Sequence, residues 1–353
     1  MSTNRDGSVG RMCWPGAWRY AGLLAICGSL LNVASAESPS NRLVPEWELT
    51  GPLVMVWPEF VSGQRALVEA YTAWIRSLPD DVDVALVSPR PPRRQSLSEL
   101  GRSVRYIPLS EVDEVALRLW GGVAGARPDG RLFRVLGRYA PGHLAGRAIG
   151  RAARDAASGE ELARMLYTHM QNLDLHITGT QFVHNGHGVG FMSNRVIAEN
   201  QHWSLARIQI LFREQFGVDR LVFVPVPEAS ESGSIDGMIR FVGPDQVLVA
   251  QTPEPLSQYL YDLVRKHVGE DATVHAVSQV PDTPLGAVWG NYLHLVHLDG
   301  VLWLPTYGTA DDARVRDQLE HAFPDLDVRY WDNGGRIIES SRPWSLYRTS
   351  LRF

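Results

Sequence analysis

The sequence contains very little cysteine. Its 353 residues include only Cys13 and Cys27, and both precede residue 37. If that N-terminal segment is removed, the rest of the chain can form no disulfide and carries no thiol nucleophile. A chain of this length can bury a hydrophobic core without disulfides. We therefore expect the folded part to be incapable of thiol-based catalysis.

The N-terminal segment predicts export. Arg5, Arg11 and Arg19 precede an apolar stretch over residues 20–31, and the small residues Ala34-Ser35-Ala36 follow it. This order is typical of a secretory signal peptide, and the apolar stretch is too short to span a bilayer comfortably. We predict that residues 1–36 are a signal peptide and that residues 37–353 form one domain of a periplasmic or extracellular protein. The alternative is a terminal helix that stays attached.

The remaining chain also lacks the charge pattern of a nucleic-acid-binding protein. The whole chain has a formal charge of −5. Three arginines and one aspartate in the first 36 residues contribute +2, which leaves −7 for the rest. No nucleic-acid partner and, after cleavage, no membrane contact is predicted; the oligomeric state stays open. We interpret one local run of arginines as an exposed helix face: Arg134, Arg138, Arg147, Arg151 and Arg154.

A hairpin, a helix and a strand recur along the chain in that order. Apolar residues on both sides of Asn185-Gly186-His187-Gly188 predict a hairpin over residues 181–196. Ser204 and Gly217 are suited to begin and end a helix, and residues 221–226 predict a buried strand. The turns of successive copies lie about 55–60 residues apart, which indicates repeated supersecondary units.

Four further segments fit the same order. Two of them are clear. The first has strands at 238–242 and 247–250, a helix from about 254 and a strand at 273–277. The second has strands at 292–297 and 301–304, a helix at 311–322 and a strand at 327–330. Two are looser, with apolar stretches at 53–57 and 82–87 around a helix at 65–77, and at 115–120 and 132–136 before a helix at 160–171. Residues 89–96 predict a surface loop, and the tail from 344 to 353 predicts an edge strand or a free end. Five such units predict a single α/β domain with the hairpins around a central axis and the helices outside.

Several short motifs carry a resemblance to a known family. They are Pro45-Glu46-Trp47-Glu48, Ser234-Ile235-Asp236-Gly237 with Arg240-Phe241, the stretch from Tyr292-Leu293 to Tyr307-Gly308, and Gly334-Gly335. They resemble the family patterns P-x-E-W-E, G-H-x-D-x-x-x-R-F, S-Y-x-N…V-P-x-Y-G and G-G-x-x-H-C. On these motifs the chain resembles the agmatine deiminase and bacterial peptidyl-arginine deiminase family. The resemblance implies the pentein fold, a five-bladed propeller of ββαβ units with pseudo-fivefold symmetry.

The chemistry that the resemblance implies is hydrolysis of an amidine at the guanidino carbon. In the family a thiolate attacks, a histidine transfers protons, and carboxylates hold the planar cation. In this chain Glu339 stands at the cysteine position and Ile338 at the histidine position of G-G-x-x-H-C. Ser234 stands at the histidine position of G-H-x-D, and Asp236 is retained. A serine does not titrate near neutral pH and cannot replace that histidine.

The implied substrate clamp is also altered. The pattern W-x-R-D-x-G-P aligns with residues 116–122, so that Leu119 replaces the carboxylate. The pattern E-G-G-N aligns with residues 178–181, so that Thr178 replaces a second one. The resemblance thus implies catalytic positions at Asp236, Glu339 and Ser234, and substrate-binding positions at Arg118, Trp120, Thr178, Gln181 and Glu231. No cofactor and no metal are predicted.

Histidine pairs offer a weaker signal. His184 and His187 flank the turn Asn185-Gly186, and a metal site would need further ligands beside them. His294 and His297 are three residues apart in a predicted strand, so we expect them to face opposite sides. We interpret all four as polar turn and strand residues.

Three functions remain open at this point. The first is a family member that has lost deiminase catalysis and binds a small cationic or guanidino ligand in the axial cavity. The second is a hydrolase of C–N bonds that uses carboxylates, Asp236, Glu231 and Glu339, in place of the missing cysteine. The third is a structural exported protein whose axis is filled by the apolar side chains of Leu119, Trp120 and Ile338.

Overall fold

Five separate β-sheets form the framework of the described residues. The computed structural model describes residues 41–61, 65–139, 147–166, 168–226, 233–251, 255–278, 291–331 and 350–353. They belong to one compact unit, Pro39–Phe353. Within them, no helix is long and apolar enough to cross a bilayer.

The strands and helices of these residues have the following bounds. The strands are β1 (Arg42–Leu43), β2 (Leu53–Val56), β3 (Val84–Ser88), β4 (Arg105–Pro108), β5 (Val123–Ala126), β6 (Leu132–Arg138), β7 (His169–His176), β8 (Phe182–His184), β9 (Val189–Ser193), β10 (Arg220–Val224), β11 (Ile239–Phe241), β12 (Gln246–Gln251), β13 (Thr273–Ser278), β14 (Val296–Leu298), β15 (Val301–Pro305), β16 (Asp327–Trp331) and β17 (Ser350–Arg352). The helices are α1 (Arg65–Ser77), α2 (Arg94–Glu99), α3 (Leu117–Trp120), α4 (Arg147–Met165), α5 (Arg195–Glu199), α6 (Leu205–Phe216), α7 (Leu256–Val268) and α8 (Ala310–Ala322).

The sheets repeat one topology. In β8–β9–β10, β11–β12–β13 and β14–β15–β16, a hairpin supplies an antiparallel pair and a helix leads to a third, parallel strand. The sheet β1–β5–β6–β7 adds β1 to the edge of such a unit. The sheet β17–β2–β3–β4 takes its antiparallel edge from the C-terminal strand β17. Five units of mixed sheet and helix confirm the predicted α/β class.

The unit around α6 shows how the sequence specifies this topology. Asn185 Oδ1 accepts the N–H groups of His187 and Val189 (2.9 and 3.0 Å), which closes the β8–β9 turn. Ser204 Oγ accepts the N–H of Arg207 at 3.2 Å and caps α6. The helix ends at Gly217, whose φ of 64° is the left-handed conformation that glycine adopts without strain.

Tryptophans fill the largest apolar cluster. Trp57, Trp74, Trp303 and Trp331 are almost completely buried and pack with the strands β2 and β3. Trp74 lies edge-on to Trp303, with ring centroids 6.1 Å apart. Burial of such large side chains stabilises this part of the fold by the apolar area that it removes from water.

The second unit differs most from the sequence-based prediction. Residues 115–120 were predicted as a strand, but residues 117–120 form α3 and the hairpin strand is β5. Short apolar runs do not distinguish helix from strand by periodicity alone. The helix predicted at 160–171 is α4, which begins at Arg147, while residues from His169 onward form β7. The repeat placed the start of this helix too late, although Arg151 and Arg154, which were interpreted as part of an exposed helix face, do lie exposed on α4.

Three smaller predictions also change, and one of two alternatives for the tail is confirmed. Residues 94–96, predicted as part of a loop, open α2. His294 lies in a turn before β14 rather than in the strand with His297, and both side chains are buried. Arg134 and Arg138 are not on a helix face: both lie in β6, where Arg134 is 1 % exposed. In the tail, residues 350–352 form the edge strand that was one of two alternatives.

Candidate functional site

The side chains of Thr178, Thr180 and Ser234 form a chain of hydroxyl contacts at the connection between β7 and β8. Thr178 caps a single 3-10 turn, Gly179–Gln181, and its backbone N–H donates to Gln181 Oε1 at 2.9 Å. The Oγ1 atoms of Thr178 and Thr180 lie 3.2 Å apart. Thr180 Oγ1 lies 2.7 Å from Ser234 Oγ. The positions where the family has a clamp carboxylate and a histidine are therefore joined here through neutral hydroxyl groups.

The backbone fixes the segment that carries Ser234 and Asp236. The carbonyl oxygen of Thr180 accepts the N–H groups of Ile235 (2.9 Å) and Asp236 (3.3 Å). Asp236 is fully buried, and its Oδ1 lies 3.7 Å from Nε2 of His294. Buried carboxylates need polar partners, and the imidazole of His294 is a polar group that the fold places close to Asp236.

An asparagine turn places His294 beside Asp236. Asn291 Nδ2 donates to the carbonyl of Gly237 at 2.7 Å, and Asn291 Oδ1 accepts the N–H of Leu293 at 2.8 Å. A Cβ at Gly237 would lie 2.4 Å from Asn291 Nδ2, so a larger residue there would displace the Asn291 side chain from this contact. His294 stands at the asparagine position of the family's S-Y-x-N pattern. The sequence did not predict the proximity of His294 to Asp236, because His294 was assigned to a strand.

Glu46 joins two predicted parts of the site. Its Oε1 accepts a hydrogen bond from Arg118 at 2.5 Å, and its Oε2 accepts one from Arg240. Side chains of all three are about nine-tenths buried. Burial alone would raise the pKa of Glu46, but the two guanidinium groups outweigh it and hold the pKa below its usual range. Arg118 is thus held by a carboxylate of this chain.

Four arginines line one cleft, which we call the arginine cleft: Arg118, Arg134, Arg240 and Arg352, with Glu46 among them. His184 also lines it, and burial, followed by repulsion from Arg240, lowers the pKa of His184 to about 3. His184 is therefore neutral at physiological pH. The cleft carries an excess of positive charge.

Trp120 and Thr178 face a different, apolar cavity. Its walls include Leu43, Leu119, Phe182 and Phe212. The Nε1–H of Trp120 donates to the carbonyl of Glu114 at 3.0 Å. The positions predicted from the alignment to replace the clamp carboxylates, Leu119 and Thr178, therefore line an apolar surface, which cannot hold a guanidinium by paired hydrogen bonds.

The structure brings several predicted residues together. A Cβ at Gly179 would lie 2.2 Å from the carbonyl oxygen of Arg118, so α3 and the turn of Thr178 pack backbone to backbone. Gln181 is buried within this turn, where its Nε2 donates to Glu199 Oε2 at 3.2 Å. Ser234 and Asp236 adjoin the turn through Thr180. The predicted residues Glu231, Glu339 and Ile338 lie outside the described residues.

The other two histidines of the predicted pairs, His187 and His297, have ordinary surroundings. The ring of His297 lies 5.9 Å from that of Trp47, and burial lowers the pKa of His297 to about 4. His187 Nε2 lies 3.5 Å from Glu48 Oε1 at the surface. Among the residues that the structure describes, no group of three or more His, Cys, Asp or Glu side chains is arranged to hold a metal ion.

Comparison with known proteins gives one sequence-family match and several similar structures. A model of the Porphyromonas-type peptidyl-arginine deiminases matches residues 42–337. The agmatine deiminase of C. jejuni superposes with a TM-score of 0.73 at 16 % identity, over 89 % of this chain and 96 % of that chain. The agmatine deiminase of Enterococcus faecalis superposes with a TM-score of 0.72 at 15 % identity, over 89 % and 95 %. A putative arginine deiminase from Porphyromonas gingivalis gives 0.70 at 17 %, over 89 % and 98 %. No match was found among curated proteins. These superpositions identify the fold of the described sheets as the pentein fold.

Proposed function

The chain belongs to the Porphyromonas-type peptidyl-arginine deiminase family, and from this premise we propose an exported, catalytically degenerate member that binds a ligand without converting it. The observation that carries this proposal is the absence of cysteine from residues 42–337, the whole matched range. The amidine hydrolysis implied by the resemblance begins with attack by a thiolate. A carboxylate such as Glu339 is a far weaker nucleophile toward an amidinium carbon.

The surroundings of the replaced positions support the same conclusion. Ser234 shares a hydrogen bond with Thr180 and has no acid–base function near neutral pH. Leu119 and Thr178 replace the two carboxylates that would grip a guanidinium, and both line the apolar cavity. A guanidino substrate held without these groups loses the orientation that catalysis requires.

Asp236 is the feature that favours a guanidino or other cationic ligand. It is the retained acidic position of the family pattern, and it is fully buried beside His294. Calorimetric titration with agmatine and with an arginine-containing peptide tests the ligand class. We expect binding by the wild type and by the exposed-site control Asp245→Asn, and its loss in Asp236→Asn. The same samples are analysed for ammonia; formation of product would contradict the proposal, and absence of binding would exclude the cationic ligand.

The Asp236–His294 pair also supports a second candidate, a hydrolase of C–N bonds. A histidine oriented by a buried carboxylate is a common proton carrier in hydrolases. In this candidate His294 takes over proton transfer and a carboxylate replaces the thiolate. The two candidates differ in one assay: ammonia release from agmatine by the wild type, abolished in His294→Gln, supports the hydrolase and contradicts the degenerate binder.

Export is the remaining part of the proposal. It rests on the basic flank, the apolar stretch and the pattern Ala34-Ser35-Ala36. Expression of the full chain in a bacterial host, followed by N-terminal sequencing of the periplasmic fraction, tests it. We expect a start near Glu37, which removes both cysteines. A periplasmic form that retains residue 27 would contradict the cysteine argument, and a protein found only in the cytoplasm with residue 27 in place would contradict the export as well.

A further inference from the structure

Among the described residues, the charges at the arginine cleft do not balance. Glu46 lies between Arg118 and Arg240, and Asp299 Oδ1 accepts a hydrogen bond from Arg352 at 2.7 Å. Four guanidinium groups therefore face two carboxylates among the described residues. Buried charges are normally paired, because an uncompensated buried charge is strongly destabilising.

Arg134 accounts for much of this excess. Its NH2 group donates to the carbonyl of Arg352, and its guanidinium carbon lies 3.7 Å from the ring centroid of Phe353. These are its polar and ring contacts within the described chain, and neither partner is a carboxylate. Arg134 is only 1 % exposed and still lines the cleft.

The sheet directs Arg134 toward the cleft. Phe133 and Val135, its neighbours in β6, pack in the apolar cluster with Phe212 on the other face of the sheet. Successive side chains of a strand point to opposite faces, so Arg134 must face the cleft. Its partner across the β5–β6 pair is Ala124, which also lines the cleft and leaves space beside the guanidinium.

The protonation behaviour of the cleft agrees with this geometry. Burial, followed by repulsion from Arg118, lowers the pKa of Arg134 to about 9. The depressed pKa of His184 has the same two causes, burial and nearby arginines. Both shifts are those of a buried site with surplus positive charge, which an anion would relieve and a cation would worsen.

We propose that the arginine cleft binds a small oxyanion, a carboxylate or a phosphate, on the guanidinium of Arg134. Planar guanidinium groups bind such oxyanions through paired, charge-assisted hydrogen bonds. The site differs in sign from a guanidino site, since four arginines repel a cationic ligand. It does not depend on the proposed function, because turnover elsewhere in the protein neither requires nor excludes an anion here.

Calorimetric titration with inorganic phosphate and with malonate, at constant ionic strength, tests the site in the full-length mature protein. Arg134→Met keeps much of the apolar stem but removes the charge. Arg131→Met is the matched control, since Arg131 lies three residues away and is exposed beside Asp129. We expect saturable binding of at least one anion by the wild type and the control, and at least tenfold weaker binding by Arg134→Met. The anion that binds more tightly identifies the chemical class.

Two outcomes overturn the proposal. One is no saturable binding of either anion to the wild type; the other is equal weakening in both variants. If Arg134→Met does not fold, the test is instead an anomalous diffraction measurement on wild-type crystals soaked in selenate. An anomalous peak within hydrogen-bonding distance of Arg134 supports the site, and a cleft without such a peak contradicts it. Ammonia release from agmatine would contradict the proposed function and leave this result unaffected.

Discussion

The hydroxyl oxygen of Ser234 lies 2.7 Å from that of Thr180, at the position where the family pattern has a histidine. This contact gives Ser234 a structural role. Replacing Ser234 by alanine removes the bond but leaves Thr180 its contact with Thr178. We therefore expect Ser234→Ala to lower the free energy of unfolding by about 1 kcal/mol in urea titrations.

The exposed Ser98, whose hydroxyl donates to the carbonyl of Gln95, offers the matched control. We expect Ser98→Ala to stay within about 0.5 kcal/mol of the wild type. A loss of ligand turnover in Ser234→Ala, measured under conditions where it is folded, would show instead that the hydroxyl takes part in catalysis.

Because Glu46 lies in a buried cluster with Arg118 and Arg240, we predict that removing its charge strongly destabilises the protein. In Glu46→Gln an amide NH2 faces one of the two guanidinium groups, and both positive charges lose their carboxylate. We expect a loss of about 3–5 kcal/mol in the free energy of unfolding. Glu48→Gln, which affects the partly exposed contacts with Arg42 and His187, should cost about 1 kcal/mol or less. Equal costs for the two variants would contradict the importance of the buried cluster.

A buried carboxylate on α4 predicts an unusual pH dependence. Asp155 Oδ1 accepts the N–H groups of Asp113 and Glu114 (2.8 and 3.0 Å). Burial outweighs these two donors and raises the pKa of Asp155 to about 7. Between about pH 4 and 7 the folded state therefore holds a proton that the unfolded state has lost. The contribution of this group to stability falls as the pH rises through that window, by roughly 4 kcal/mol at most.

Asp155→Asn removes this titration and keeps an oxygen that can accept both N–H groups. We expect the stability of the variant relative to the wild type to increase from pH 4 to pH 8 in urea titrations. Asp80→Asn, at an exposed position, should show a constant difference. A constant difference for Asp155→Asn as well would contradict the raised pKa.

The sequence predicted those parts of the fold in which local signals agree. The turn at Asn185, the cap at Ser204 and the stop at Gly217 lie where the structure has them. Helix α1 also has the predicted bounds. In the second unit the strand predicted at 132–136 is confirmed as β6. The first strand was wrong because α3 interrupts that apolar run, and the helix bounds were wrong because α4 begins earlier and β7 follows it. Tertiary packing determines whether such segments form a helix or a strand, and the local sequence does not specify that packing.

The site was predictable only through the alignment of motifs. Alignment identified Ser234 and Thr178 as replacements, but the Thr180 hydroxyl that joins them has no sequence signature. Arg134 was assigned to an exposed basic run, since its burial depends on which face of β6 it occupies. His294 was placed in a strand, although a turn built by Asn291 brings it to Asp236. The contacts between Thr180 and Ser234 and between Asp236 and His294 join residues that lie more than 50 positions apart in the sequence.

The most direct test of the central claim is ammonia release by the purified mature protein at high concentration, with agmatine and with arginine-containing peptides. Glu339→Ala and Asp236→Asn serve as matched controls. The account predicts that none of the three proteins forms product above the uncatalysed background. Sustained release of ammonia by the wild type that either substitution removes would contradict it.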